Sequence, residues 1–344
     1  MLSDYCKMIQ KMEGNKSDNT MTKLIPTLYE KQKYIIHERN LKQAIDAGLI
    51  LKKIHRVLEF DQKPWMKKYI EFNTEKRKVA KTDFEKNFFK LMNNSVFGKT
   101  MENLRKRMNF KLISDENKFV KYVSKPNFIN GVIFNENLVG VKYVQEKLLL
   151  NKPIYVGFSI LDISKTLMYD FHYGFIKKKY GEKITLLFTD TDSLMYLAET
   201  ENIMEDIYDN KEIFDLSDVR GEFNDNTNKK VLGKFKPEYP NSVITDFIGL
   251  KSKMYSIKLD DGQEDQKAKG IVKSVIKKGL KHDMYNSTLT TGIKMYSRMK
   301  VIRSQKHRVF TMDLNKISLS AYDDKRYLLD DGITSYSYGH YRTL

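Results

Sequence analysis

The chain has 344 residues, 41% hydrophobic and 12% aromatic, with 31% charged residues spread among them rather than in blocks; this excludes a peptide module or a disordered chain and allows one large domain or several smaller ones. Lys and Arg outnumber Asp and Glu by 61 to 44, a formal charge of +17, which points to a polyanion such as nucleic acid, with a solvated lysine-rich surface as the bland alternative. A single cysteine, Cys6, excludes an internal disulfide or a cysteine zinc site, and with no apolar run near the ~20 residues of a membrane span the sequence reads as a soluble protein of a reducing compartment, intracellular or intravirion.

Residues 1–23 are polar, and order is expected to begin near Lys23. A helical period runs over 26–48 through Leu28, Tyr34, Ile35, Leu41 and Ile45, and GLILKKIHRVLEF then reads as a strand entered at Gly48. After the break DQKPW, the longest helical pattern runs from about Trp65 to Met101, ending at Gly98, with a basic knot at 105–107. Residues 108–147 alternate apolar and polar, with turn signals at SDEN, PNFING and NEN, and predict a small antiparallel β element. Residues 152–181 read as an apolar helix buried on most of its circumference. ITLLFTDTDSLMYLA reads as strand, acidic turn, strand; further strands are predicted at 230–236 and 246–258, and a lysine-rich, helical remainder from about 265. The six histidines (His37, His55, His172, His282, His307, His340) lack metal-ligand spacing and read as surface or packing residues.

Three constellations carry chemistry. On the basic helix of residues 76–99, Phe84, Phe88 and Leu91 fall on one side, expected to pack, while Lys86, Lys90, Asn94 and Phe97 fall on another with Lys78 at its edge. Residues 63–107 hold 13 Lys/Arg against 5 Asp/Glu, so the positive excess concentrates here. Most lysine stripes are solvated faces, but the polar end NNSVFG suits close approach of a flat charged ligand, with Gly98 allowing backbone contact. In DTDS, Asp190 and Asp192 are two apart, so on extended chain both carboxylates face one way, where oxygen ligands suit Mg²⁺ or Mn²⁺. Isolated D-x-D pairs also occur in plain turns and in metal-dependent sugar transferases. In GLKSKMYSIK, Lys251, Lys253 and Tyr255 share one face of the predicted strand, as for tracking a nucleic-acid backbone; an edge strand guarded by lysines reads the same way.

Taken in order, KLMNNSVFG, FTDTDS and KMY resemble the fingers, second palm-carboxylate and primer-binding motifs of family B DNA polymerases, most like the protein-primed branch of small phages, adenoviruses and Maverick/Polinton elements. The fingers pattern is Lys, three residues, Asn-Ser, one residue, Tyr-Gly; Lys90, Asn94, Ser95 and Gly98 are in register and Phe97 replaces the tyrosine. The resemblance spans roughly residues 24–335 and implies an α+β right-hand polymerase fragment. In it, 1–64 is an N-terminal remnant, 65–102 helical fingers, 103–147 a β-rich insertion, 148–258 a palm whose antiparallel sheet carries the DTDS hairpin, and 259–344 a partly helical thumb. It implies Asp192 as a ligand shared by two catalytic Mg²⁺ (or Mn²⁺) ions and Asp190 as its supporting carboxylate. Lys90, Lys86 and Lys78 would neutralise the triphosphate of a dNTP, and Asn94, Phe97 and Gly98 would lie against the nascent base pair. Lys253 and Tyr255, with Lys251 and Ser193, would hold the primer strand of a DNA template–primer, and a terminal protein would supply the first hydroxyl.

The family's other metal-binding aspartate lies in an earlier motif, Asp-x-x-Ser-Leu-Tyr-Pro, which has no match before Lys90; the exonuclease domain is not seen either. The expectation is a C-terminal portion with little or no polymerase activity alone, the apolar edge of its palm sheet covered some other way. The alternative is a non-catalytic nucleic-acid-binding remnant. The basic runs at 105–107 and 177–179 are better explained as phosphate-binding surface than as nuclear signals. On the polymerase reading, the acidic turn and the cationic helix converge on a common cavity, and neither aspartate is locked into an internal ion pair.

Overall fold

The structure is a computed structural model describing residues 35–305, 308–322, 326–330 and 335–337. The expected onset of order near Lys23 and the first part of the 26–48 helix lie outside the described residues; the part within them is helical, α1 (Glu38–Asp46). Residues 48–64 form no strand with the described residues, against expectation, and Leu49, Ile50, Ile54, Val57 and Leu58 are exposed. A strand exists only when its backbone polar groups find a partner ladder, and this segment has none there. Within it, Phe60 stacks on Tyr155 with centroids 4.7 Å apart.

The long helical pattern is two helices, α2 (Lys67–Val79) and α3 (Asp83–Thr100). Thr82 accepts a hydrogen bond from the Glu85 backbone N–H while Glu85 reaches back to the Thr82 N–H, and this capping box restarts the helix after a break at Ala80–Thr82. The basic stretch of residues 76–99 is therefore not one helix, and α3 runs through Gly98 instead of ending there. The two helices pack as a hairpin through polar contacts. Tyr69 Oη donates to the Met92 carbonyl at 3.2 Å and Asn93 Nδ2 to Thr74 Oγ1 at 3.3 Å, with Asn73 buried between. Phe84, Phe88 and Leu91, the side expected to pack, are exposed.

Residues 109–143 form the predicted β element: β1 (Asn109–Ile113), β2 (Phe128–Asn135) and β3 (Leu138–Tyr143) in the order β1-β3-β2, all antiparallel, around Val141. SDEN is not a turn but the start of helix α4 (Glu116–Val123), capped by the Asp115 side chain, which accepts from Lys118 N at 2.8 Å.

Helix α5 (Ile154–Tyr169) continues through a π-helical turn, Asp170–Ile176, to Tyr180. It buries only a narrow stripe including Gly157, Asp162 and Met168; Ile160, Ile163, Leu167 and Tyr173 are exposed, so the expectation of near-complete burial fails. Asp162, 2% exposed, accepts the His37 backbone N–H at 2.8 Å and so holds α1 against α5. Gly157 sets the approach of the α2–α3 hairpin: a Cβ there would lie 2.4 Å from Met101 Cγ and 2.6 Å from Thr100 Oγ1. Gly157→Val is expected to push α3 off α5 and cost about 1–3 kcal/mol; an unchanged melting temperature would show that this approach is not what fixes the hairpin.

The DTDS hairpin forms as read, β4 (Ile184–Asp190) and β5 (Ser193–Ala198). It is followed by helix α6 (Ile203–Tyr208) and a long irregular loop in which the strand expected at 230–236 reduces to one isolated bridge, Phe214 to Phe235. The strand expected over 246–258 is a hairpin, β6 (Ile244–Lys251) and β7 (Met254–Leu259), joined by β8 (Glu264–Ala268) in the order β6-β7-β8. The region expected to form a palm with one sheet thus has two small sheets. They face each other through Met195, Ile257 and Leu259, with Phe188, Phe247 and Tyr255 at the margin.

Beyond β8 come two short helices, α7 (Lys273–Gly279) and α8 (His282–Thr291), and then a two-stranded ribbon, β9 (Met295–Gln305) with β10 (Arg308–Leu319). Short strand pieces β11 (Arg326–Leu328) and β12 (Ser335–Ser337) pair beyond it. The lysine-rich remainder is therefore mainly strand. The alternation in MYSRMKVIRSQ, which places Met299 and Val301 towards the core and Lys300 and Ile302 away from it, is the period that wins. The ribbon's base joins the largest core, around Ile248, Leu250, Leu280, Tyr285 and Leu319. The chain is thus a mixed α+β protein with small antiparallel sheets.

Candidate functional site

Asp190 ends β4 on the same face as Phe188, which stacks on Tyr255 of β7 with centroids 4.6 Å apart. That packing brings the β4–β5 turn over the β6–β7 turn, and Lys253 Nζ donates to both carboxylate oxygens of Asp190 at 2.6 Å. Two groups 63 positions apart in the chain, each singled out from a separate motif, therefore meet, and against expectation the Asp190 carboxylate is held in an internal ion pair. The pair is solvent-exposed, 48% for Lys253 and 38% for Asp190, so it contributes about 0–1 kcal/mol.

The two carboxylates do not share an extended segment. Thr191 takes a left-handed φ of 59°, the Asp192 N–H closes onto the Asp190 carbonyl at 2.7 Å, and Ser193 Oγ donates to that carbonyl at 3.2 Å. Asp192 thus sits at the exposed tip of a tight turn, with no ion-pair partner among the described residues. The same correction applies to the lysines. The β6–β7 turn falls at Ser252–Lys253, with Lys253 at φ 61°, so Lys251, Lys253 and Tyr255 do not line one strand face. Lys251 Nζ instead donates to the Tyr322 carbonyl at 3.0 Å. Burial, then the charges of Asp265, Asp190 and Glu238, raise the Tyr255 phenol above its ordinary pKa, so it stays a neutral donor.

On the helical hairpin, Lys78 pairs with Glu75 at 3.0 Å and Lys86 with Asp83 at 3.3 Å. Lys90 and Asn94 are exposed, Lys90 without an ion-pair partner among the described residues, and Phe97 is half-buried. Gly98 has nothing within 4 Å of where a Cβ would stand and lines a shallow depression with Ser95, Lys99 and Glu102. The chain's own packing does not require that glycine. Neither aspartate lines this depression, and no hydrogen bond or ion pair among the described residues joins α3 to the β4–β5 tip, so the common cavity expected for the acidic turn and the cationic helix is not seen here. The link between them is indirect: α3 packs on α5, and beyond α5 the π-helical turn reaches β5 through His172 Nδ1 and Tyr196 Oη, 2.9 Å apart. Burial, reinforced by Lys177, lowers the His172 pKa, and burial pushes the Tyr196 phenol up to about 12.

His282 contacts Ser256 Oγ through Nδ1 at 2.9 Å and Asp246 Oδ2 through Nε2 at 3.1 Å. This has the composition of a nucleophilic triad with the accessibility inverted. Ser256 is fully buried while Asp246 is exposed, so no substrate can reach the hydroxyl, and the contact ties α8 to β6 and β7. Among the described residues no group of three or more His, Cys, Asp or Glu side chains is arranged to hold a metal ion, and no helix is long and apolar enough to cross a membrane. What the sequence did not offer was Lys253 as partner of Asp190. Its only signal was the KMY motif, and a lysine is not a residue that advertises a left-handed turn.

Comparison with protein-family models, with curated proteins and with solved structures finds no match to this chain.

Proposed function

We propose that the chain is the nucleotidyl-transfer portion of a protein-primed family B DNA polymerase, acting on a DNA template–primer and dNTPs. The observation that carries this reading is the meeting of DTDS and KMY at the Lys253–Asp190 contact, since those are the two motifs the resemblance assigns to one site. The donor set fits a hard divalent cation in type. Asp192 offers an exposed carboxylate and Asp190 a second once Lys253 yields, which a pair this weak permits. Two carboxylates suit one Mg²⁺ or Mn²⁺ ion and fall short of a two-ion site. Bound there, such an ion would supply Lewis-acid activation of an α-phosphate toward a primer 3′-hydroxyl. Lys253, displaced from Asp190, is placed to pair with a primer phosphate, and Tyr255 stays fixed on Phe188 as a neutral donor beside it. Lys90, the one of the three proposed triphosphate lysines without an ion pair among the described residues, would meet the incoming nucleotide.

A second reading, nucleic-acid binding without catalysis, is favoured by the occupancy of Asp190 by Lys253. Both predict DNA binding; they part on metal and nucleotide. On the polymerase reading, Mg²⁺ with dNTP protects the 86–98 helix from proteolysis, and Lys90→Ala or Asp192→Asn removes that protection. Primer extension by the 344 residues alone is expected near background. Protection that is absent in the parent chain, or that persists in both variants, would leave the binding reading in its place. Robust incorporation abolished by Asp192→Asn would instead show that this chain's carboxylates suffice.

A further inference from the structure

Three non-glycine residues take left-handed φ among the described residues, and two of them, Thr191 and Lys253, build the acidic site. The third is Lys230, at φ 55°, in the loop after α6. Side chains disfavour this conformation, so it persists only where surrounding contacts impose it, and such residues gather at ligand sites. The contacts here are specific. The Lys230 backbone N–H donates to the buried Asp215 carboxylate at 2.9 Å, and its Nζ donates to the Arg77 carbonyl at 3.0 Å, at the end of α2. Asp215 is the loop's anchor. Burial opposes its charge, but hydrogen bonds from Ser217 and Lys230 outweigh that and hold the carboxyl below its ordinary pKa. Asn228 stiffens the same loop by donating to the Lys211 and Phe214 carbonyls at 2.9 and 3.0 Å.

The result is a crowd of cations. Burial, then the positive charges of Arg77, Lys229, Lys86 and Lys236, depress the Lys230 ammonium below its ordinary pKa. Lys86 and Lys236 have carboxylate partners, Asp83 and Asp218. Arg77 and Lys229 have none among the described residues. A rigid loop that spends backbone strain to place a partly desolvated ammonium among like charges is unfavourable by itself and becomes favourable when an anion arrives.

We propose that Lys230, with Arg77 and Lys229, forms a phosphate-binding clamp between the connected end of the α2–α3 hairpin and the 225–236 loop, taking either a free polyphosphate or the phosphates of a nucleic-acid backbone. The clamp does not involve the aspartates and does not depend on the polymerase reading. Occupancy would tie the helical hairpin to the body of the protein.

Lys230→Gly separates side chain from fold, because glycine accepts this φ without strain. It is expected to melt within a few degrees of the parent while binding metal-free tripolyphosphate about tenfold more weakly, or while the salt slope for a duplex oligonucleotide falls by about one. Loss in the first titration identifies a free polyphosphate as the ligand, and loss only in the second a nucleic-acid backbone. Arg77→Ala, which keeps the carbonyl that holds Lys230, should shift the same titration. Failure of the parent to bind either anion, or parental affinity and slope in Lys230→Gly, overturns the clamp. A clamp that passes in a chain showing no Mg²⁺ and dNTP protection would stand while the polymerase reading fell.

Discussion

Raising monovalent salt from 50 to 200 mM is expected to weaken duplex DNA binding by about a hundredfold, the loss that follows from neutralising about four phosphates. The formal charge of +17 makes binding plausible, but the number of cations left free decides its size. Many lysines are engaged: Lys78, Lys86, Lys253 and Lys267 each hold a carboxylate within the chain. Exposed cations without ion-pair partners among the described residues include Lys90 on α3 and Lys300, Arg303 and Arg308 on the β9–β10 ribbon. A two-stranded ribbon is narrow enough for a DNA major groove. Neutralising Arg303 or Arg308 should each reduce the slope of log affinity against log salt by about one. A flat salt dependence, measured by fluorescence anisotropy, would remove both functional readings at once, since neither survives without electrostatic DNA binding.

Tyr285→Ala is expected to be the most damaging single substitution for folding, at about 3–5 kcal/mol, a large part of the 5–15 kcal/mol typical of a domain. Tyr285 is 0% exposed and sits on α8 in the core shared by β6, β7 and the ribbon. Its hydroxyl donates to the Lys267 carbonyl at 3.1 Å, and burial, aided by the Asp265 charge, raises its pKa far above the ordinary phenol value. Truncation leaves a ring-sized void and removes the hydrogen bond to the β8 carbonyl. Tyr285→Phe keeps the ring and loses one hydrogen bond, about 1 kcal/mol. Urea denaturation of the two variants separates these costs, and equal destabilisation would mean that the hydroxyl, not the ring, supports the core.

Where local physics is decisive the sequence was readable. The β4–β5 hairpin was legible because apolar runs flank a short polar turn, and the 109–143 sheet because its alternation is regular. Thr82 with Glu85 carried a capping signal that splits the long helical pattern but was overridden by the longer periodicity, and Asp115 carried another whose polar neighbours read as a turn. The ribbon was missed because lysine content suggested helix where a period of two ran through MYSRMKVIRSQ. The β6–β7 turn was missed for another reason: Lys253 occupies a backbone region usually left to glycine or asparagine, and only tertiary contacts hold it there.

The sequence by itself determined the cationic excess, the acidic turn between two apolar strands, and the candidate residues, because each depends on neighbours within a few positions. Tertiary structure decided which of them are engaged. Phe188 packing on Tyr255 delivers Lys253 to Asp190 and leaves Asp192 exposed, while the loop anchored by Asp215 delivers Lys230 to Arg77. Such partners are chosen by the packing of distant segments, and an ion pair across 63 residues has no local signature.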